Sequence, residues 1–421
     1  MSYDSKILVV GTTSDYIDII RRFSGGSALF ITEPDQRMKA SEPRPDDWEE
    51  VLSEFQDPEA VFCNLDIHLK KYKLSVSGIT AFDCESLLPA SYIAEKLKLP
   101  FTSAASIKNC RDKFISKKLW KASGIKTPET EIINSQDEAL CFFRNIKSRC
   151  VIKPKTGAGS ELMFLCADEA AIKTSYDIIA RELEARKNNR LYNMENGNQI
   201  IIEEFIDAPE YSADFTVNGD RIEIIRLTQK IKRPSSVFGI TTAYLLLNAP
   251  PPSINTQQLQ QVFLENCKAL GISNAICMMD FFVKDGEVFL LETAPRPGGD
   301  CIPFLLEKTA GLNMLKEAMD FSTNPRVSYG DISEMEQGLG IRIIADRAGI
   351  FENVDTSRLE KEKNIKAVFI NRKPGAEILM PPDDYDSWIL GCIIAEREKT
   401  ISPEQQVNEV LSKIHCKIVN K

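Results

Sequence analysis

Residues 280–299 read DFFVKDGEVFLLETAPRPGG, and this stretch narrows the available folds more than any other part of the chain. Two apolar runs, Phe281 to Val283 and Val288 to Leu291, flank the turn signal Lys284-Asp285-Gly286. The pattern predicts an antiparallel β-hairpin with an acid on each strand, Asp280 and Glu292. A three-residue loop with Gly286 at φ > 0 pairs Val283 with Glu287 and sets Asp280 against Leu290. Glu292 is then its diagonal neighbour on the same face, at roughly 7–8 Å. A two-residue loop would send the acids to opposite faces, because side chains alternate along a strand. Arg296 and the pair Gly298-Gly299 follow at once. Two mutually repelling acids, an arginine and a flexible glycine pair suit a divalent cation, phosphate and a carboxylate. An ordinary hairpin with two solvated acids satisfies the same residues.

The bulk numbers limit the chemistry. A 421-residue chain, 43% hydrophobic and 27% charged, has the texture of a globular protein with room for two to four domains. No apolar run approaches the ~18 residues of a membrane span. The opening MSYDSKILVVG lacks the basic flank and cleavage site of a secretory signal. Eleven scattered cysteines, with no CxxC and no Cys/His cluster, suit a reducing cytosol and argue against zinc. A net charge of −9 disfavours nucleic acid. The expectation is a cytoplasmic protein with no membrane or nucleic-acid partner. Only two histidines occur, His68 and His415, and neither lies in a motif. Ser-His-Asp and Cys-His mechanisms are therefore disfavoured, and chemistry would run on carboxylates, Lys, Arg, metal and backbone.

Strands and helices alternate at the start: KILVV (6–10), a helix over 16–23, ALFIT (28–32), AVFCNL (60–65) as a third strand, and a helix over 86–97. This predicts a parallel α/β sheet. Gly11 has no GxGxxG companions, so no dinucleotide fingerprint accompanies it. Asp112-Lys113 open a helix that stops at Gly124, and 168–185 is a second helix. The polar stretch 186–199 reads as a loop. QIIIEEFI (199–206) is a strand, YSADFTV and DRIEIIRL pair around Asn218-Gly219, and a helix covers 256–270. Beyond Pro325, GLGIRIIA, KAVFINR and SWILGCIIAERE read as strands and 402–414 as a capped helix, with no chemical constellation.

Two further groups carry chemistry. In CVIKPKTGAGSELMFLC (150–166), Lys153 ends a strand, and Gly157, Gly159 and Ser160 let backbone N–H groups close over phosphate oxygens. No GK[ST] follows, so this is no Walker loop; a tight hairpin turn fits as well as a phosphate lid. Glu203-Glu204-Phe205-Ile206 ends an apolar strand before Asp207-Ala208-Pro209, and such a bend offers backbone groups to an adenine edge, with Glu210 in reach of a ribose diol. Solvated acids at a strand end are the alternative.

In this order, Lys113, Lys153 with its glycine loop, Glu203 to Ile206 with Glu210, then Asp280, Glu292 and Arg296 resemble the ATP-grasp superfamily. The resemblance covers roughly 110 to 310. It implies an α/β fold in three parts: an N-terminal parallel α/β domain (1–108), a two-lobed α+β ATP-binding domain (109–325, small lobe about 125–205, larger lobe 206–325), and a C-terminal α+β domain (326–421). It implies that Lys113 and Lys153 hold ATP phosphates, and that Gly157, Gly159 and Ser160 cover them. Glu203, Glu204, Phe205 and Ile206 would form the adenine hinge and Glu210 the ribose contact. Asp280 and Glu292 would bind Mg²⁺ or Mn²⁺, and Arg296 would hold the carboxylate or acyl-phosphate oxygens. Gly298-Gly299 would lend N–H groups to the tetrahedral intermediate, which makes Arg296 and Gly299 the catalytic candidates. Two departures stand out. Ala294 occupies a position where many members carry Asn, and Asp280 replaces the more usual Glu.

The resemblance implies an ADP-forming carboxylate–amine ligase that passes through an acyl phosphate and takes small carboxylate and amine substrates. It is closest in look to the L-amino acid ligase branch. The APRP wording (294–297) also occurs in purine-pathway members, but these usually continue APRPH and this chain has APRPGG. A purine-pathway carboxylase or formyl transferase and a nucleotide-binding protein without turnover are the alternatives. Arg226, Lys230 and Arg233 are candidate substrate contacts. Whether the protein forms a homodimer is open at this stage.

Overall fold

The computed structural model describes residues 4–157, 159–186, 192, 198–233, 237–325 and 329–420. At the start, strands β1 (Asp4–Val10), β2 (Ala28–Thr32), β3 (Glu50–Leu52) and β4 (Leu74–Thr80) form a parallel sheet in the order β3-β2-β1-β4. Helices α1 (Ser14–Ser24), α2 (Pro34–Lys39), α3 (Pro58–Tyr72), α4 (Leu87–Leu97) and α5 (Ala104–Arg111) connect or follow these strands. The predicted strand at 60–65 is wrong, because it is the interior of α3. Asp57 caps that helix by accepting from the N–H groups of Glu59 and Ala60, and Pro58 takes the first turn. Val61 and Leu65, four apart, are its buried stripe. A short apolar run fits a strand or a helix equally; here the cap decides.

Helix α6 (Lys113–Ala122), capped by Asp112, leads into a second sheet. Strands β5 (Thr130–Ile133), β6 (Cys150–Pro154), β7 (Phe164–Cys166) and β8 (Ile200–Glu204) pair antiparallel in the order β5-β8-β6-β7. Helices α7 (Gln136–Ile146) and α8 (Glu169–Ala185) cover this sheet with buried Ala139, Leu140, Ile172 and Ile179. Most of the stretch 186–199, expected to be a loop, lies outside the described residues.

The third sheet has eight antiparallel strands. It contains β9 (Glu210–Asn218), β10 (Arg221–Ile231), β11 (Ala243–Leu247), β12 (Asn274–Lys284) and β13 (Glu287–Ala294), with α9 (Thr256–Leu270) packed against it. After α10 (Ile302–Ala310) and α11 (Met314–Thr323) the chain returns to the same sheet with β14 (Gly338–Ile344). The small strands β15 (Gly349–Asp355), β17 (Glu377–Ile378) and β19 (His415–Val419) form a fourth sheet, while β16 (Ile365–Ile370) and β18 (Ile389–Glu396) complete the large one. Its order is β13-β12-β9-β10-β11-β14-β18-β16, so one sheet carries strands from both sides of Pro325. Helix α12 (Pro403–Ser412) precedes β19. The architecture agrees with the expected α/β class: a parallel sheet first, antiparallel sheets after it. Among the described residues no helix is long and apolar enough to cross a membrane.

Candidate active site

The small sheet and the large sheet face one another across a cleft of about 240 Å³. Its walls bring together Lys113, Lys153, Gly157, Ser160, Glu203, Glu204, Phe205, Ile206, Glu210, Asp280 and Glu292. Residues more than 170 positions apart in sequence thus share one space. Of the remaining sequence candidates, Gly159, Arg296 and Gly299 are not on this wall.

The first turn of α6 fastens the glycine loop. Lys113 Nζ donates to the carbonyl of Gly157 at 2.9 Å, and its N–H donates to Lys155 O at 3.1 Å. Gly157 and Gly159 have φ of 122° and 67°, and Ser160 of 61°, so the loop turns through conformations that favour glycine. Ser160 Oγ reaches across the cleft to the carbonyl of Gly239 at 3.1 Å.

The end of β8 divides its work in a way the sequence did not reveal. Glu203 is buried, and its carboxylate meets Lys117 Nζ at 2.8 Å and Lys153 Nζ at 2.7 Å. Burial opposes its ionisation, but the two ammoniums outweigh that and hold the carboxyl at about 2. Burial in turn lowers Lys117 to about 8 against the pull of Glu203. Glu203 therefore fixes Lys153 from inside the wall. The N–H groups of Glu204 and Phe205 donate to Glu129 O and Arg149 O. Among the described residues no backbone carbonyl takes the N–H of Ile206, and Ile206 lines the cleft. Phe205, with Arg149 over its ring and Phe238 at 6.1 Å, supplies an apolar side.

The hairpin differs from its sequence reading and yet keeps its acids together. The turn has two residues, Asp285 and Gly286, both at positive φ, so Lys284 pairs with Glu287 and Val283 with Val288. That register alone would put Asp280 and Glu292 on opposite faces. A β-bulge at Leu291 takes up one residue, and Asp280 lies directly opposite Glu292. Lys117 Nζ donates to the carbonyl of the bulged Leu291 at 3.2 Å. Nothing in the residue string marks the bulge, whose carbonyl is held from α6.

Asp280 accepts from Lys230 Nζ at 2.6 Å through Oδ2, while its buried Oδ1 has no partner. Burial raises the Asp280 carboxyl above its ordinary value, partly offset by Lys230. Burial also pushes Glu292 up, but Lys113, Lys153, Lys230 and Arg296 outweigh it and hold that carboxyl low. An orphaned carboxylate oxygen beside a second carboxylate fits a divalent cation. No cluster of three or more acidic, Cys or His side chains occurs among the described residues. Asp280 and Glu292 could hold such an ion only with other oxygens completing its shell. Lys230 also meets Glu210 at 2.7 Å, and Lys232 pairs with Glu210 as well, holding its carboxyl at about 2 against burial.

Beyond the acids, Arg296 lies outside the lining of the cleft and reaches the loop after β4. Its Nε donates to Cys84 Sγ at 3.1 Å and its Nη1 to Pro297 O at 2.7 Å. Asp83 and Glu292 lie close enough to stabilise its charge. Gly299 is half-buried with open space at its Cα, whereas a Cβ at Gly298 would meet Arg226 Nη2 at 2.5 Å. Below Gly298 lies a buried ion pair, Arg226 Nη2 to Asp214 Oδ1 at 3.0 Å, and Gly298 N–H donates to that same oxygen. Arg226, expected from its sequence position to contact substrate, is instead buried and forms the floor beneath Gly298. Lys230 lines the cleft. Sequence reading missed Lys117, Lys232, Met163 and Phe238; only the Lys230-x-Lys232 alternation on one strand face could have signalled any of them.

Residues 146–304 match the family model of the ATP-grasp domain. The chain is 22% identical over 365 residues to the uncharacterised protein y4rH of Sinorhizobium fredii, covering 84% of this chain and 72% of that protein. It is 23% identical over 286 residues to the carbamoyl phosphate synthase large chain of Vibrio cholerae, which covers 67% of this chain but only 23% of that much longer protein. The crystal structure of L-amino acid ligase from Bacillus licheniformis superposes over 100% of both chains with a TM-score of 0.77 at 17% identity. Phosphoribosylglycinamide synthetase from Anaerococcus prevotii covers 99% of this chain and 100% of its own, with a TM-score of 0.65 at 18% identity. Matched domain, shared fold and a cleft in which lysines face a pair of acids agree: residues 146–304 form an ATP-grasp domain.

Proposed function

We propose that the protein is an ATP-dependent ligase that activates a carboxylate as an acyl phosphate and joins it to an amine, with amino-acid-like substrates. The observation that carries this reading is the cross-strand pair Asp280 and Glu292, with an unpartnered buried oxygen, in the same cleft as Lys113 and Lys153. Ile206 N–H would meet the adenine edge, and Phe205 would pack near it. Lys113 and Lys153 would hold phosphate oxygens, with Lys153 kept in place by Glu203. Asp280 and Glu292 would hold Mg²⁺ or Mn²⁺, which supplies charge neutralisation on the phosphates. The substrate carboxylate attacks the γ-phosphorus, and the bond to the bridging oxygen of ADP breaks. The amine nitrogen then attacks the acyl carbon, the C–O bond to phosphate breaks, and the nitrogen loses a proton. Arg296 would steady the acyl oxygens, and the N–H of Gly299 would face the tetrahedral carbon. Likeness in fold to an L-amino acid ligase over the full length supports amino-acid-like substrates. The APRP segment and the likeness to phosphoribosylglycinamide synthetase support the second reading, a purine-pathway enzyme of the same superfamily.

The test is release of ADP and phosphate against a panel of amino-acid pairs, with Glu292→Ala as control. Turnover that needs both substrates and vanishes in the variant supports the ligase. ATP binding with no acceptor raising turnover above the control sinks it, and turnover confined to bicarbonate or formate with a nucleotide precursor supports the second reading.

A further inference from the structure

Helix α6 carries Lys113, Lys117 and Trp120 on one face, at spacings of four and three residues. Each ends on a different part of the frame around the cleft. Lys113 Nζ donates to the carbonyl of Gly157 in the glycine loop at 2.9 Å. Trp120 Nε1 donates to Asn266 Oδ1 at 2.9 Å, and that oxygen also accepts from the hydroxyl of Thr293, the residue after Glu292. Lys117, between them, has two partners: Glu203 Oε1 at 2.8 Å and the carbonyl of Leu291 at 3.2 Å.

These two partners lie in different sheets. Glu203 belongs to β8 of the small sheet, and its other oxygen meets Lys153 Nζ at 2.7 Å. Leu291 is the bulged residue of β13, the edge strand of the large sheet. An edge strand offers carbonyls that no neighbouring strand takes, so a side chain can anchor it there. While the bulge stays at Leu291, Asp280 faces Glu292; were it to move along the strand, Asp280 would face Leu291 and the acids would part. One ammonium thus joins the residue that steadies Lys153 to the residue on which the acid pair depends. Lys117 does not line the cleft, and its side chain is 3% exposed, so it reaches a ligand only through these neighbours. Burying an ammonium costs free energy that an apolar side chain of the same length would not. Stability of the fold does not account for a lysine here; placement of Lys153 and of the bulge does.

We propose that Lys117 is a positioning residue that sets Lys153 through Glu203 and the Asp280–Glu292 pair through the Leu291 bulge. Nucleotide phosphates and divalent cation then meet groups held by one buried side chain. The proposal rests on the assignment of Lys153 to phosphate and of the two acids to the cation, and not on the ligase reaction.

The experiment measures binding by the full chain and needs no turnover. ADP affinity is read by calorimetry in EDTA, and Mn²⁺ affinity by electron paramagnetic resonance at saturating ADP. Lys117→Met matches the lysine in length and leaves Glu203 its partner Lys153, so the buried charges stay balanced. It should weaken ADP and Mn²⁺ by ~10-fold each. In a Glu203→Gln background the same substitution should cost less than ~2-fold further in ADP affinity, because positions that act through one another are not additive. In an Asp280→Asn background it should cost less than ~2-fold further in Mn²⁺ affinity, for the same reason. A merely structural role lowers affinity by the same factor in every background, so additivity in either cycle overturns the proposal. Wild-type affinity for either ligand in Lys117→Met overturns it as well. So does a Lys117→Met chain that fails to fold, since the lysine would then serve stability and not placement. Lys153→Met alone tests the assignment beneath it: unchanged ADP affinity there removes Lys153 from the phosphates, and the proposal falls with that reading. Absence of turnover under all conditions counts against the ligase reaction alone, since both affinities are still measured.

Discussion

Glu203→Gln is the substitution that most directly probes how the cleft is built. The carboxylate lies 2.8 Å from Lys117 Nζ and 2.7 Å from Lys153 Nζ, and the side chains of Glu203 and Lys117 are each 3% exposed. Moving Glu203 from an ordinary 4.5 to about 2 corresponds to ~3 kcal/mol in favour of the folded, charged form. Moving Lys117 from 10.5 to about 8 corresponds to ~3 kcal/mol in the other direction, because burial of the ammonium is not fully offset. The cluster as a whole therefore adds little net stability. Removing only the carboxylate is different, since it leaves two neighbouring ammoniums without a counter-charge, at a cost of ~3–5 kcal/mol. Urea unfolding followed by tryptophan fluorescence reads this, with Trp120 on the same helix as Lys117. Glu203→Gln should lose ~3–5 kcal/mol at pH 7, and Lys117→Met combined with Glu203→Gln should lose less than the single variant. The pH dependence has a defined sign. The folded value of Glu203 lies below the unfolded one, so its contribution is present above about pH 4.5 and is lost as pH falls toward 2. The wild type should lose stability more steeply over that window than Glu203→Gln. A loss under ~1 kcal/mol, or a double variant weaker than the single, would refute this account.

Asp280→Asn should weaken Mn²⁺ binding in the presence of ADP, measured by electron paramagnetic resonance, by at least ~10-fold, because one of two protein carboxylates is gone. Unchanged affinity would remove Asp280 from the metal site. Deleting Leu291 removes the bulge but leaves Glu292 as the next residue after Leu290, directly opposite Asp280, so the acids stay on one face and Mn²⁺ binding should persist; abolished binding would contradict the register. Gly298→Ala should destabilise by ~1–3 kcal/mol, since its Cβ would meet Arg226, whereas Gly299→Ala should leave thermal stability near wild type. Equal effects at the two positions would show that the Arg226 floor yields.

Much of this protein was written in its residue order. Alternating apolar strands and capped helices marked an α/β chain, and the string Lys113, Lys153, Glu203, Asp280, Glu292 pointed to one cleft before any geometry was known. Local chemistry suffices there, because a strand end or a helix cap depends on neighbours in sequence. The helix at Pro58–Tyr72 escaped because the short run AVFCNL fits two periods equally. Other features depended on distant partners. The bulge at Leu291 is held from α6, Glu203 turned out to face two lysines, and Arg226 was buried beneath Gly298 rather than aimed at a substrate. The sequence by itself determined which groups carry charge and which strands carry them. Only the tertiary structure decided which charge answers which, because ion pairing in a buried site depends on distances across elements that no local pattern encodes.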